Sequence, residues 1–532
     1  MALMRFVSPL LLTLLLFAAP AAAQAPPQSG FEASGGAAWT THEQEQAFLA
    51  AVSASPRALV TEIGQTKEGR PMNLVEIGHP APSGPVAARR RPTALFTCTQ
   101  HGNEPAGREA CLRLLRDLAF TTDARLMSLM ERATFLFIPS ANPDGREHDT
   151  RENTEPQDIN RDHLAITSNE AQAMAAVVRD FQPDLAIDLH EYGPSQPVLY
   201  DDPVLWLWPR NLNTDKEVHD LAVKYGREYL VPAVEEAGYT ADEYGQQEVA
   251  DNDIAQTAGD GDEGIMRNAM GLRHVLGILV ETRVDADIRQ SPTEPAMAAE
   301  TARRRVQSHY VVLGSALEFI EEKGTEAARV TSEAIRRKIA EGQGRSAPVY
   351  FDGADNQEPT AEGTVNPPPC GYRLTSAQVE QLGPRLDLHG ISIFDSDDGG
   401  PFVPLGQPAE PLIPLLLDAR GTRHAVEGKP LDSCPPIPDA APPGTKPIKA
   451  PSSGQGCVKP RTVTMRLPRR KGTVVSAKVT AGGRQVKVRR GVAYIKLRKP
   501  GSKVKVTIVQ RVRSGGRVRT FRTTRTYRVC KD

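Results

Sequence analysis

The chain has 532 residues, 39% hydrophobic and 24% charged, enough for two or three domains with a sizeable core. Its formal charge of −1 is a sum of opposites: residues 457–532 carry 24 Lys and Arg against one Asp, a net of +23, which leaves −24 for residues 1–456. Past the N-terminus no uninterrupted apolar run approaches the roughly 20 residues that a membrane-crossing helix needs. No C-x-x-C occurs, which argues against a cysteine zinc site or a thioredoxin-like motif.

In chain order, residues 1–23 read as a secretory signal peptide: Arg5 gives a positive start, 6–17 the apolar stretch, and Ala21 to Ala23 a small-residue cleavage site. The expected mature protein is therefore exported, either secreted or in the periplasm or cell envelope. Export makes the six cysteines disulfide candidates; the sequential scheme pairs Cys98 with Cys111, Cys370 with Cys434, and Cys457 with Cys530. Residues 24–40 are Gly/Ala/Pro/Ser-rich and read as a flexible N-terminus. Residues 41–54 carry apolar side chains at helical spacing, and 60–78 read as two alternating strands around a Gly-containing turn.

Residues 94–98 and 133–138 are short apolar runs rich in strand formers, with a helix expected over 108–118. A third strand is expected over 184–189 and a fourth over 277–281, with an amphipathic helix at 167–181. Apolar strands alternating with helices predict an α/β fold, a mostly parallel mixed sheet flanked by helices. Helical patterns follow over 297–322 and 326–341. Residues 346–437 turn Pro/Gly-rich and read as a small β-rich appendage, and 438–456 as a Pro/Ala/Gly linker. Residues 457–532 alternate in period two, predicting a basic all-β sandwich-type module.

Chemistry concentrates just beyond the strands, where open α/β sheets place ligands. His101 and Glu104 stand three apart on the loop leaving the first apolar strand, and a nitrogen and an oxygen so placed can turn towards one zinc ion. His190, at the end of the 184–189 strand, is the natural third ligand, although a single strand-end histidine is more often a helix-capping or satisfied loop residue.

His101-Gly102-Asn103-Glu104, Asn142-Pro143-Asp144-Gly145, Asp158-Ile159-Asn160-Arg161 and Leu279-Val280-Glu281, in this order, resemble the motifs of the zinc carboxypeptidase (M14-type metallopeptidase) family, and the turn at 64–70 is similar to the family's. The resemblance covers roughly residues 41–284 and implies a catalytic domain over 41–345. It implies one Zn2+ per chain on His101, Glu104 and His190, with Glu281 as general base and Arg151 (Arg146 being its rival) stabilising the oxyanion. Asn160 and Arg161 match the pair that grips a substrate's terminal carboxylate, and Asp158 the carboxylate that orients a zinc histidine, here His101. No tyrosine lies between Tyr244 and Glu281, so the family's active-site tyrosine is either Tyr244, from a remodelled loop, or absent. Trp206, Trp208, Tyr192 and Tyr200 cluster after His190 and suit packing more than a substrate cleft.

The expected activity is that of a secreted metallocarboxypeptidase acting on a peptide or peptide-like substrate with a free C-terminal carboxylate. The alternatives are a zinc amidase or peptidase acting on peptidoglycan stem peptides or acyl-amino acids, and a catalytically inactive envelope-binding protein. In the basic module Lys and Arg alternate, as at Lys487 and Arg489 or Lys503 and Lys505, which puts them on one face of a strand. Such a face suits a polyanion. For an exported chain an anionic cell-envelope polymer is the expected partner and nucleic acid is disfavoured, since the aromatic residues do not interleave regularly.

Overall fold

The computed structural model describes residues 26–435, apart from 83, 194–201, 251–252, 259–260, 286–294 and 397–399, together with the strands of a C-terminal segment between 461 and 528. The expected signal peptide 1–23, the linker 438–456, Tyr200, and the pair Cys457 and Cys530 lie outside the described residues. The chain falls into two compact units, Met1–Pro436 and Ile437–Asp532.

The first unit is organised on a mixed sheet of eight strands. They are β1 (Ala58–Gln65), β2 (Pro71–Ile77), β3 (Thr93–Cys98), β4 (Thr134–Ile138), β5 (Leu185–Tyr192), β6 (Val204–Leu207), β7 (Ala241–Glu243) and, after the separate hairpin of β8 (Gly245–Ala250) and β9 (Asp253–Ala258), β10 (Leu276–Arg283). Their order is β1-β2-β4-β3-β5-β10-β6-β7. The four central strands β4, β3, β5 and β10 run parallel, and β3 and β4 are buried along their whole length. Both faces are covered. Ala94, Phe96 and Cys98 of β3 join a core with the helices Ala106–Phe120 and Pro295–Gly344, while Leu95 joins a second core with Met174, Val177, Met266 and Met270. Period-two alternation in a strand buried on both sides explains why β3 reads as a continuous apolar run.

The helical patterns at 297–322 and 326–341 form one 50-residue helix, Pro295–Gly344. The helix continues through Gly324, where a Cβ would lie 2.8 Å from Pro92 Cβ, so the glycine serves close packing under the start of β3. β5 runs on through His190 to Tyr192, past its expected end at 189, and β10 includes Glu281 as expected and continues to Arg283.

Residues 346–435 hold a four-stranded antiparallel sheet (Phe394–Ser396, Gly400–Pro404, Gly371–Arg373, Lys429–Leu431) and two helices, Ser376–Leu388 and Leu412–Leu417. Tyr372, Leu382, Leu386, Val403 and Leu412 share a core with Leu164 and Leu272 of the main body. The segment is more helical than its composition predicts. A six-residue apolar run such as 412–417 has no period that separates helix from strand. Cys370 and Cys434 form a disulfide.

The C-terminal unit has two antiparallel sheets, one of Arg461–Arg466, Val492–Leu497 and Val488–Arg489, the other of Arg484–Val486, Thr473–Ala481, Lys503–Ser514 and Arg517–Arg528. Ile495 from the first meets Val479, Val506 and Ile508 from the second in a small core, the arrangement expected of a sandwich. Among the described residues no helix is long and apolar enough to cross a membrane.

Candidate metal centre and active site

At the end of β3 the chain turns through Thr99, whose φ of 57° lies in the left-handed region, at a cost of about 1–3 kcal/mol for a non-glycine residue. The loop so redirected carries Gln100, His101 and Glu104 into the helix Ala106–Phe120, and the disulfide Cys98–Cys111 closes it. A Cβ on Gly102 would lie 1.9 Å from the Gly145 carbonyl carbon, and one on Gly145 2.3 Å from Asn142 Nδ2. Gly102 is thus needed where the two motifs' backbones meet, and Gly145 where its own motif closes on Asn142. Asn142 Oδ1 accepts from Gly145 N (2.9 Å) and its Nδ2 donates to Gln100 O (3.1 Å). Asp144 accepts from Thr66 Oγ1, Glu68 N and Arg70 Nη1 at 2.7, 3.0 and 2.7 Å, which ties the β1–β2 turn to the same corner.

The three expected ligands converge. His101 Nδ1 lies 2.8 Å from Glu104 Oε1, His190 Nδ1 lies 2.9 Å from Glu104 Oε2, and the two Nδ1 atoms are 3.0 Å apart. All three residues are buried, and their ligand atoms lie within 4.8 Å of one another. Two imidazole nitrogens and a carboxylate turned towards one point form the nitrogen/oxygen donor set that zinc takes. Burial opposes ionisation of Glu104, yet His101 and His190 hold its carboxyl well below the usual range.

Each histidine is also held from behind. His101 Nε2 meets Asp158 Oδ1 at 3.2 Å. Against the cost of burial, His101 and the nearby arginines hold Asp158 far below the usual carboxylate range. His190 Nε2 meets Asp188 Oδ2 at 2.8 Å, a partner that the sequence reading passed over. The signal was present: two residues apart in a strand, Asp188 and His190 share a face. Such carboxylate–histidine pairs fix which ring nitrogen is left for a metal.

Glu281 pairs in register with His190 across β5 and β10. The residue is partly exposed, but its Oε2 is sealed without a hydrogen-bond partner among the described residues. Burial pushes its carboxyl up to about 7, against the pull of His190, His101 and Arg151. Arg151 holds Asp158 Oδ2 through Nε (3.1 Å) and Nη2 (2.9 Å) and brings Nη1 to 3.1 Å from His101 Nδ1. Its rival Arg146 instead donates to Gly102 O (2.5 Å) and pairs with Asp149 (2.9 Å), so it supports the ligand loop.

The other expected site residues are placed differently. Asn160 is buried, its Oδ1 accepting from Met266 N (2.8 Å) and its Nδ2 lying 3.3 Å from Asp188 Oδ2 and 2.9 Å from His190 Nε2. It sits behind the ligand as part of its support. Arg161 is half-buried, with Nη1 on Asn160 O at 2.8 Å. Tyr244 packs partly buried against the main core. Trp206 and Trp208 are buried with rings 5.3 Å apart, a packing role, and Tyr192 donates to Asp202 O.

The model of the family described as zinc carboxypeptidase matches residues 46–169, the stretch holding the first two ligands and the 142–145 and 158–161 motifs. Over these residues the chain is similar to the M14-type zinc carboxypeptidases. Among its relatives, carboxypeptidase 2 of Trichophyton equinum is 30% identical over 244 residues, 44% of this chain and 43% of that protein. Probable carboxypeptidase 2 of Arthroderma benhamiae is 33% identical over 190 residues, 34% of this chain and 36% of that protein. The chain thus spans less than half the length of the curated relatives it matches. A solved metallo-carboxypeptidase from Burkholderia cenocepacia aligns at a TM-score of 0.41 with 21% identity, covering 53% of this chain and 69% of that one. The second half of the site, His190 and Glu281, lies beyond the residues matched by the family model and is joined to the first half by the sheet.

Proposed function

We propose that this chain is an exported zinc-dependent metallocarboxypeptidase that hydrolyses the C-terminal peptide bond of a peptide with a free carboxylate. The observation that carries the reading is the convergence of three buried ligand atoms beside Glu281, whose Oε2 is sealed and unpartnered among the described residues. One Zn2+ on His101, Glu104 and His190 would supply Lewis acidity towards the scissile carbonyl and the attacking water. Glu281 takes the proton of the attacking water and passes it to the leaving amine, a task for which a carboxyl poised near neutrality is suited. Arg151, anchored on Asp158, places positive charge where the carbonyl oxygen becomes an anion. Arg161 offers a guanidinium fork to the terminal carboxylate. Asn160, engaged behind His190, contributes through the ligand it supports. Export rests on the sequence of residues 1–23.

The test is metal content and peptide trimming on one preparation. About one zinc per chain with chelator-sensitive removal of C-terminal residues is expected. Zinc without trimming would move the substrate to peptidoglycan stem peptides or acyl-amino acids. A chain that is folded, supplied with zinc and still metal-free would be an envelope-binding protein without this activity.

For the C-terminal unit we propose an anionic cell-envelope polymer as partner. Val479, Val506 and Ile508 point into the core, while Lys478, Lys505, Arg511 and Arg513 are exposed, and opposite sides of a strand alternate. Binding of the full chain to a phosphodiester polymer should weaken steeply with salt. Salt-independent binding, or none, would leave the unit without this role.

A further inference from the structure

Behind His190 a line of buried polar side chains continues well past the residue that touches it. Asp188 meets His190 Nε2 with Oδ2 at 2.8 Å and Gln100 Nε2 with Oδ1 at 2.6 Å. Gln100 Oε1 in turn lies 2.6 Å from His163 Nε2. All four residues are at most 5% exposed, so none can exchange these partners for water, and an unmade hydrogen bond here carries its full desolvation cost. The chain of contacts joins three segments: the loop carrying His101, the turn after the 158–161 motif, and β5.

The contacts have a direction. An ionised carboxylate only accepts hydrogen bonds, so Gln100 Nε2 and His190 Nε2 donate to Asp188. The Asn160 amide, its Oδ1 held by Met266 N, also turns Nδ2 to Asp188 Oδ2 (3.3 Å) and passes His190 Nε2 at 2.9 Å as a second donor on the same carboxylate. Donation to Asp188 orients the Gln100 amide with Oε1 towards His163, which must donate from Nε2. The opposite amide orientation would set Oε1 against the carboxylate and face Nε2 with the His163 N–H. Burial holds the His163 pKa down to about 4, so the ring is neutral with one proton to place. Its backbone N–H is fixed on Gly264 O at 3.1 Å. With His190 Nε2 protonated, Nδ1 carries the lone pair, and that atom faces Glu104 and His101.

We infer that Gln100 and His163 are positioning residues for the metal centre, selecting through Asp188 the tautomer and ring orientation in which His190 offers Nδ1 to the cation. The inference rests on the zinc reading above. It also explains why the sealed pair Gln100 and His163, 63 residues apart in sequence, is built from polar side chains at a depth where apolar ones pack more simply.

The test measures zinc affinity by competition with a chromophoric chelator, and the visible spectrum of the Co2+-loaded protein, for the full chain and four variants. Gln100→Leu and His163→Leu, shown folded by circular dichroism, should bind zinc about 10–100-fold more weakly, the usual effect of losing an outer partner of a metal ligand, and should shift the cobalt bands. His163→Gln, whose amide nitrogen stands in for Nε2, should restore affinity to within about threefold, while His163→Asn, too short to reach, should not. If the leucine variants do not fold, the Gln and Asn pair alone decides. Equal zinc affinity and unchanged cobalt bands across the variants would overturn the inference, as would equal weakness of His163→Gln and His163→Asn. A native chain that binds no zinc would instead sink the metal reading itself, and this inference with it.

Discussion

His190 and Glu281 stand directly opposite each other in the parallel pairing of β5 and β10. The proposed metal ligand and the carboxyl proposed for proton transfer are thereby locked to one backbone ladder, and neither depends on a loop for its position. Glu281→Gln keeps the shape but cannot take a proton. It should retain zinc and fold while turnover falls roughly 10²–10⁴-fold, the usual contribution of a positioned base. Burial puts the Glu281 carboxyl near 7, and a bound cation lowers a neighbouring carboxyl. The acid limb of kcat/KM should therefore lie at or below pH 7, with activity rising as Glu281 loses its proton. Full activity in the Gln variant would end the assignment.

Arg161 and Asn160 are adjacent in sequence yet differ in what they can reach. Arg161 is half-buried beside the site, whereas both ends of the Asn160 amide are engaged within the protein. Arg161→Ala should raise KM for peptides with a free terminal carboxylate about 10–100-fold, the worth of a hydrogen bond to a charged group, and leave their C-terminally amidated counterparts unchanged. Asn160→Ala should not discriminate between the two substrate forms and should instead weaken metal retention. Equal losses on both substrates for Arg161→Ala would remove it from carboxylate recognition.

Much of this was legible before any coordinates. His101, Glu104 and His190 fall where apolar strands end, and Gly102 of the 101–104 motif marks a backbone contact with Gly145 that only glycine allows. The strand ends were less legible. β5 runs on through His190, and β10 two residues past Glu281, because backbone pairing continues where hydrophobicity stops. Gly324 resembles a helix break on propensity alone, but its contact with Pro92 is tertiary and leaves no local mark. Gln100 and His163 lie far apart in sequence, and only the fold brings their polar atoms to 2.6 Å.

The disulfide Cys98–Cys111 spans the loop that carries both His101 and Glu104. Both sulfurs are buried, and closing a loop of this length stabilises a fold by about 3 kcal/mol in the chain-entropy description. Cys98→Ala/Cys111→Ala should lower unfolding free energy by about that amount. It should also speed zinc loss to a chelator, because the two ligands on the loop are no longer tethered at both ends. Unchanged zinc release with lowered stability would confine the bridge to folding.

Asp184 sits at the foot of β5, accepting from Thr93 N at 2.9 Å and Thr331 Oγ1 at 2.8 Å. Burial pushes its carboxyl up to about 6, with these hydrogen bonds opposing, against about 3.9 in an unfolded chain. The folded state therefore binds this proton more tightly. The group's contribution is fully present below about pH 4 and is lost as pH rises through about 6, a swing of about 3 kcal/mol. Asp184→Asn keeps an oxygen for the Thr93 N–H and has no charge to bury. Measured by urea unfolding at pH 4, 6 and 8, the variant should gain on the native chain by about 3 kcal/mol from the lowest to the highest pH. A difference that stays constant across this range would mean that Asp184 is charged throughout, with its two hydrogen bonds offsetting the cost of burial.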